Sequence, residues 1–263
     1  MKCCPLPSRG FSILELMVAT AIFLILCAAM FGLLQVSQQK YTSESQMTGA
    51  FQETRLAIDQ IVRDFNVSGY PALSLFSSVP ADSSKYALSP VAWSPNYGVS
   101  QCAISVGTCV TPNNYDLIVE TDLGSGVSWI RYQLTGTTLF RAVVPKTPGG
   151  DPVAATTAAG AMVPFLTNVM NNAEVVQPAL FAEIVAAYPS MFPGGKPLPI
   201  FSYSCDTPAG PVSCALAGNN GIPSNIRDVD ITLIVMTRQL DLQTQLPKVV
   251  ELTGRGHRVN PSN

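Results

Sequence analysis

Ser8-Arg9-Gly10-Phe11-Ser12-Ile13-Leu14-Glu15-Leu16 is the stretch from which the rest of the chain is read, because a short basic leader passes there without a spacer into an apolar run. From Leu16 to Leu34 no residue carries a charge. At about 1.5 Å per residue that run matches the hydrocarbon thickness of a bilayer, so it predicts one membrane-spanning helix. Glu15 is out of place in it. A carboxylate near the end of a membrane helix costs about 2–3 kcal/mol on insertion scales and calls for a compensating partner. Lys2 and Arg9 precede the helix. Positive flanks stay in the cytoplasm, so the residues after Gln35 are expected on the far side of the inner membrane.

Other readings of the same segment fit less well. A secretory signal has a shorter apolar core followed by a small-residue cleavage site, and no acid inside the core. A lipoprotein signal would use Cys27, but the bulky Leu26 precedes it. An uncleaved anchor leaves Glu15 unexplained. Glycine, then an aromatic residue, then an acid four residues later, then a long apolar run resembles the type IV prepilin family of pilus subunits and type II secretion pseudopilins. The resemblance implies that a prepilin peptidase cuts between Gly10 and Phe11 and that Phe11 is N-methylated. It also implies that Glu15 is the assembly carboxylate, neutralising the Phe11 amine of a neighbouring subunit.

Composition suits an extracytoplasmic protein. The chain has 263 residues, only 12% of them charged, with a net charge of -2 and a mean hydropathy of +0.27. Without leader and membrane helix, roughly 200 residues remain, enough for one domain with its own core. Nucleic acid is not indicated as a partner, since there is no basic surplus and no block of like charge. Of the seven cysteines, Cys3 and Cys4 fall in the leader and Cys27 in the membrane run. Cys102, Cys109, Cys205 and Cys214 are left, with three possible connectivities. The short loops favour Cys102 with Cys109 and Cys205 with Cys214, in an oxidising compartment where disulfides persist.

Past the membrane run, Met47, Phe51, Ile58, Ile61, Val62 and Phe65 recur at helical spacing and predict one apolar face on a continuing amphipathic helix. Arg55 and Asp59 lie four apart on it, and Ser68-Gly69-Tyr70-Pro71 marks its end. Gly32 and Gly49 are its weak points, serving either unwinding or close packing. Tyr115–Thr121, Ser128–Leu134 and Thr138–Val144 read as consecutive strands, the last two joined by a tight turn at Thr135-Gly136-Thr137. Val229–Met236 alternates and then turns wholly apolar, as a central strand does, and Lys248–Leu252 is its expected partner. The fold class is thus α+β, type IV pilin-like: a long N-terminal helix, transmembrane then amphipathic, packed on an antiparallel β-sheet. The expected organisation is a cleaved leader (1–10), a transmembrane half-helix (11–36), an amphipathic half-helix (37–68) and an extracytoplasmic β-rich domain (69–263).

The text of the helix from Arg55 to Phe65, of the hairpin from Trp129 to Arg141 and of the strand from Val229 to Met236 resembles the minor pilins called PilW and the J-class pseudopilins. Residues 171–199 depart from that pattern as an insertion, within which Ala179–Tyr188 has helical composition. Pro71–Thr111 reads as a long decorated loop, in which Trp93, Tyr97 and nearby Tyr70 either pack beneath the loop or mark a contact surface. Thr147–Ala161 reads as a mobile surface connection.

No enzyme chemistry is expected. His257 is the single histidine, no phosphate-cradling glycine loop is present, and neither a metal nor a cofactor is implied. Asp228 and Asp230 are at most a weak calcium candidate, with solvent-facing strand residues as the default. The expected function is that of a minor type IV pilin assembled through its N-terminal helix. The alternative is a J-class secretion pseudopilin, and less so a DNA-uptake or adhesion pilin. The resemblance implies as partners the prepilin peptidase, other pilins or pseudopilins, and the inner-membrane assembly platform.

Overall fold

The computed structural model of the chain describes residues 12–76, 82–241 and 244–259. Gly10, Phe11, Cys3 and Cys4 therefore lie outside the described residues. Helix α1 runs unbroken over Ile13–Asn66. It has no proline in its interior, and Gly32 and Gly49 both have open space where a Cβ would stand, so neither marks a close contact among the described residues. The chain divides into two units, 1–46 and 47–263.

The second unit is a β-structure around the C-terminal part of α1. After α1 come β1 (Val91–Ala92), β2 (Asp116–Asp122), β3 (Val127–Thr135), β4 (Thr138–Pro145), α2 (Pro152–Thr157) and β5 (Val163–Leu166). They are followed by α3 (Ala173–Val176), α4 (Pro178–Ala187), β6 (Phe201–Thr207), β7 (Gly210–Ser213), β8 (Ile226–Leu240) and β9 (Pro247–His257). The strands form two sheets, ordered β1-β2-β3-β4-β5 and β7-β6-β8-β9. Every strand pair is antiparallel. The long helix packed on antiparallel sheets is the α+β, pilin-like architecture expected from the sequence, but with two sheets where the reading of the strands called for one. The second sheet escaped notice because β6 and β7 lie among turn residues. The β3–β4 hairpin turns at Gly136, whose φ of 62° is what a two-residue hairpin turn needs, with Thr135 paired to Thr138.

The main core lies where α1 meets both sheets. Ala57, Ile58, Ile61 and Phe65 pack with Leu117, Val119, Ile130 and Leu139 of one sheet and with Val229, Ile231, Leu233 and Val235 of the other. The buried face of α1 is Thr54, Ala57, Ile58, Ile61, Asp64 and Phe65. Met47 and Phe51, which the periodicity assigned to that face, are 37% and 42% exposed, so burial begins at Thr54, about two turns later than expected. The helix ends at Asn66, slightly before the Gly69-Tyr70-Pro71 stop.

Each sheet has a second covered face. On the four-stranded sheet, the segment read as an insertion, with Met170 just before it, packs Ala173, Phe181, Ile184 and Phe192 against Ile234 and Val249. Asn171 ties it down, donating to Leu198 O and Thr232 O and accepting from the amide of Ile234. This explains the wholly apolar end of β8: Ile231, Leu233 and Val235 face the main core while Ile234 faces the insertion. On the five-stranded sheet, Trp93, Tyr97 and Cys102 cover Ile118 and Trp129, with Val153 and Ala155 of α2 alongside. Trp93 and Tyr97 are thus packed beneath the loop, and Tyr70 is half exposed. The segment read as a mobile connection contains α2 instead. Asp151 caps that helix by accepting from Ala154 N, and Arg131 donates to Val153 O, Thr156 Oγ1 and Thr157 Oγ1. Proline at its first turn and an aspartate before it were the available signals.

Candidate assembly site

Ser12 precedes the first residue of α1, and its Oγ accepts from the amide of Leu14 at 3.3 Å. Glu15 reaches back to accept from the amide of Ser12, also at 3.3 Å. This is a capping box, in which two of the unpaired amides at a helix start are satisfied by one hydroxyl and one carboxylate. The pattern Ser12-x-x-Glu15 is the sequence signal of such a cap. Both residues are exposed, so the carboxylate keeps lone pairs for another group.

From Ile13 to Val36 the large apolar side chains face outward. Leu14, Met17, Phe23, Leu24, Ile25, Met30, Phe31 and Leu33 are each 60% or more exposed. Thr20, the one hydroxyl in the middle of the run, donates to Met17 O at 2.9 Å, so it puts no unsatisfied donor into an apolar surrounding. Among the described residues α1 is the one helix long and apolar enough to cross a membrane. Cys27 carries a free thiol there.

The opposite end of α1 is clamped to the domain by polar contacts as well as by the core. Asp64 Oδ2 accepts from Tyr132 Oη at 2.6 Å and from Arg141 Nη2 at 2.8 Å, and Arg141 also donates to Tyr132 Oη. Burial, and then the charge of Asp64, pushes the Tyr132 hydroxyl far above its ordinary pKa, so it remains a donor. Asn66 Oδ1 accepts from the amide of His257 on β9. Beneath the helix Gly254 and Gly256 let β9 come close, because a Cβ at either would collide with Ile58 or Phe65. Sequence reading missed this clamp: Asp64 stands on an apolar stripe, and Gly254 and Gly256 lie past the point where β9 was expected to end. Arg55 and Asp59 approach to only 3.9 Å and are exposed, so their pairing adds little.

Cys102 bonds to Cys109 and Cys205 to Cys214. By the loop-closure account each short loop contributes about 2–3 kcal/mol through the unfolded state. Asp228 is 5% exposed in its side chain and meets Arg255 Nη2 at 2.8 Å and His257 Nδ1 at 2.6 Å. Burial works against its charge, but the hydrogen bonds from Arg255 and His257 outweigh that and hold the carboxyl below its usual range. Asp230 lies 3.7 Å from Arg255, so the two carboxylates face a guanidinium and do not converge on a cation site. Among the described residues no group of three His, Cys, Asp or Glu is placed to hold a metal ion.

Residues 7–31 match the prokaryotic N-terminal methylation motif. No curated protein and no solved structure matches the chain. The chain therefore carries a type IV prepilin-like motif at the head of a helix that packs on a pilin-like β-structure. That combination points to a structural subunit, supports membrane anchoring, and implies processing by prepilin peptidase and assembly with other pilins.

Proposed function

We propose that this protein is a minor type IV pilin of the PilW-like kind. It is stored in the inner membrane with its first residues in the cytoplasm and its β-rich domain in the periplasm, then cleaved between Gly10 and Phe11 and inserted into a filament. The observation that supports the pilin reading is the methylation motif over residues 7–31, continuous with an apolar helix whose large side chains are exposed among the described residues. In lipid, helices associate through side-chain packing and polar pairing. An exposed stripe of Leu, Ile, Met and Phe offers the first, and Glu15 offers the second. Neutralisation of a neighbouring Phe11 amine by Glu15 takes place where an unpaired charge is costly. Such a pair fixes the axial position of each new subunit.

The decisive experiment is mass spectrometry of the inner membrane and of filaments sheared from the cell surface. An N-terminal peptide starting at methylated Phe11 in the sheared fraction supports the pilus subunit. The same peptide confined to the envelope supports the J-class secretion pseudopilin. An intact Met1 start, or a cut after the apolar run, overturns both.

A further inference from the structure

Behind the five-stranded sheet lies a buried charge cluster that neither assembly nor the main core uses. Lys146, directly after β4, has a side chain with no solvent exposure. Its Nζ is 2.6 Å from Glu120 Oε1 on β2 and 2.9 Å from Asp82 Oδ1 in the segment leading to β1. It donates to Tyr86 O at 3.1 Å and lies over the rings of Tyr86 and Tyr97. Glu120 is also fully buried, accepting from Tyr97 Oη and from the amide of Leu88. Asp82 Oδ2 accepts from the amide of Gly149 at 2.6 Å, whereas Asp82 Oδ1 has no hydrogen bond despite its distance to Nζ.

One cation thus faces two carboxyl groups in a place closed to water. Burial raises the pKa of Glu120 against the opposing pull of Lys146, so its carboxylate is a stronger base than an exposed glutamate. Lys146 Nζ rests against the Asp82 carboxyl with no proper hydrogen bond to it. The Gly149 amide polarises that same carboxyl, as a donor does where charge develops on oxygen during addition. An ammonium and a carboxylate held together in a dry site are poised to lose both charges by condensation, with effective molarities for well-oriented groups on the order of 10⁵ M or more.

We propose that Lys146 and Asp82 become joined by an intramolecular amide bond, with Glu120 as the proton shuttle. Glu120 accepts a proton from the ammonium, and the freed amine of Lys146 adds to Asp82 Cγ. Glu120 returns that proton to the departing oxygen, which takes its second proton from the adding nitrogen and leaves as water. The N–C bond forms, a C–O bond breaks, and ammonium plus carboxylate yield amide plus one water with no change of oxidation state. The bond fastens the segment before β1 to the end of β4 covalently, so that pulling on the domain cannot peel it away.

The test is the intact mass of the full chain, purified in detergent without reduction, followed by proteolysis and peptide sequencing. The expected result is a mass one water below that of the sequence with both disulfides formed, and a branched peptide joining the segments that contain Asp82 and Lys146. Asp82→Ala and Glu120→Gln should each give the unlinked mass while retaining both disulfides. A wild-type protein with only linear peptides at these positions overturns the amide. A fully linked Glu120→Gln variant overturns the role given to Glu120.

Discussion

The two stretches of α1 invert the usual relation between composition and burial. Ile13–Val36 is almost wholly apolar, yet its large side chains are exposed, while the stretch from Met47 to Asn66 is rich in charged and amide residues and buries a stripe of six residues, Asp64 the one charged member. The difference teaches that the two stretches have different solvents. In the first, apolar side chains are matched to lipid or to other helices, and only the first turn needs polar satisfaction, which Ser12 and Glu15 supply. In the second, a narrow stripe is matched to the sheets, and its one acid, Asp64, is acceptable because Tyr132 and Arg141 receive it.

If that contrast holds, mutations in the two stretches have separable effects. The largest is expected at Glu15. Leaving a neighbouring amine unpaired in a low-dielectric setting is worth about 3–5 kcal/mol. Glu15→Ala should therefore reduce filament incorporation by about a hundredfold or more, at 1.4 kcal/mol per tenfold, while the thermal midpoint of the domain stays that of wild type. Quantitative immunoblots of sheared filaments against total membrane, beside a melting curve, read both. Wild-type incorporation would remove the role of Glu15.

Ile61→Ala should do the reverse. Ile61 is fully buried between the sheets. Truncation there is expected to destabilise the domain by about 2–5 kcal/mol, with membrane insertion unchanged; chemical denaturation followed by tryptophan fluorescence measures it. Gly254→Ala probes the same contact from the sheet side. Its Cβ would press on Ile58, and a loss of about 1–3 kcal/mol is expected from overpacking. Pairing it with Ile58→Ala, which removes the Cγ2 methyl at the contact, should make the two losses less than additive, which a double-mutant cycle would show.

The smallest effect concerns acid. Asp228 titrates in the folded protein below its unfolded value of about 3.9. Its clasp with Arg255 and His257 is fully present above that value and is lost as pH falls through the folded one. Asp228→Asn should therefore lower the melting temperature at neutral pH, with the gap to wild type closing in strong acid. Glu120 and Asp116, both raised by burial, act in the opposite sense, since their folded forms take up protons more readily. Comparing wild type with Asp228→Asn at each pH cancels that background.

Much of this protein is legible in its sequence, because the deciding features are local. A membrane-length apolar run, a Ser-x-x-Glu start, the hairpin around Gly136 and two closely spaced cysteine pairs each need only neighbours along the chain. Helical periodicity likewise located Ile58, Ile61 and Phe65 of the buried stripe but placed its start about two turns early. What only the tertiary structure decided depends on residues far apart. The strands divide into two sheets, the segment carrying Met170, Phe181 and Phe192 covers the back of β8, Asp64 is held by Tyr132 and Arg141, and Asp82, Glu120 and Lys146 meet in one cluster. A charged residue looks the same in sequence whether it faces water or a partner. Its meaning is set by the groups that the folded chain brings to it and by the water that the fold excludes.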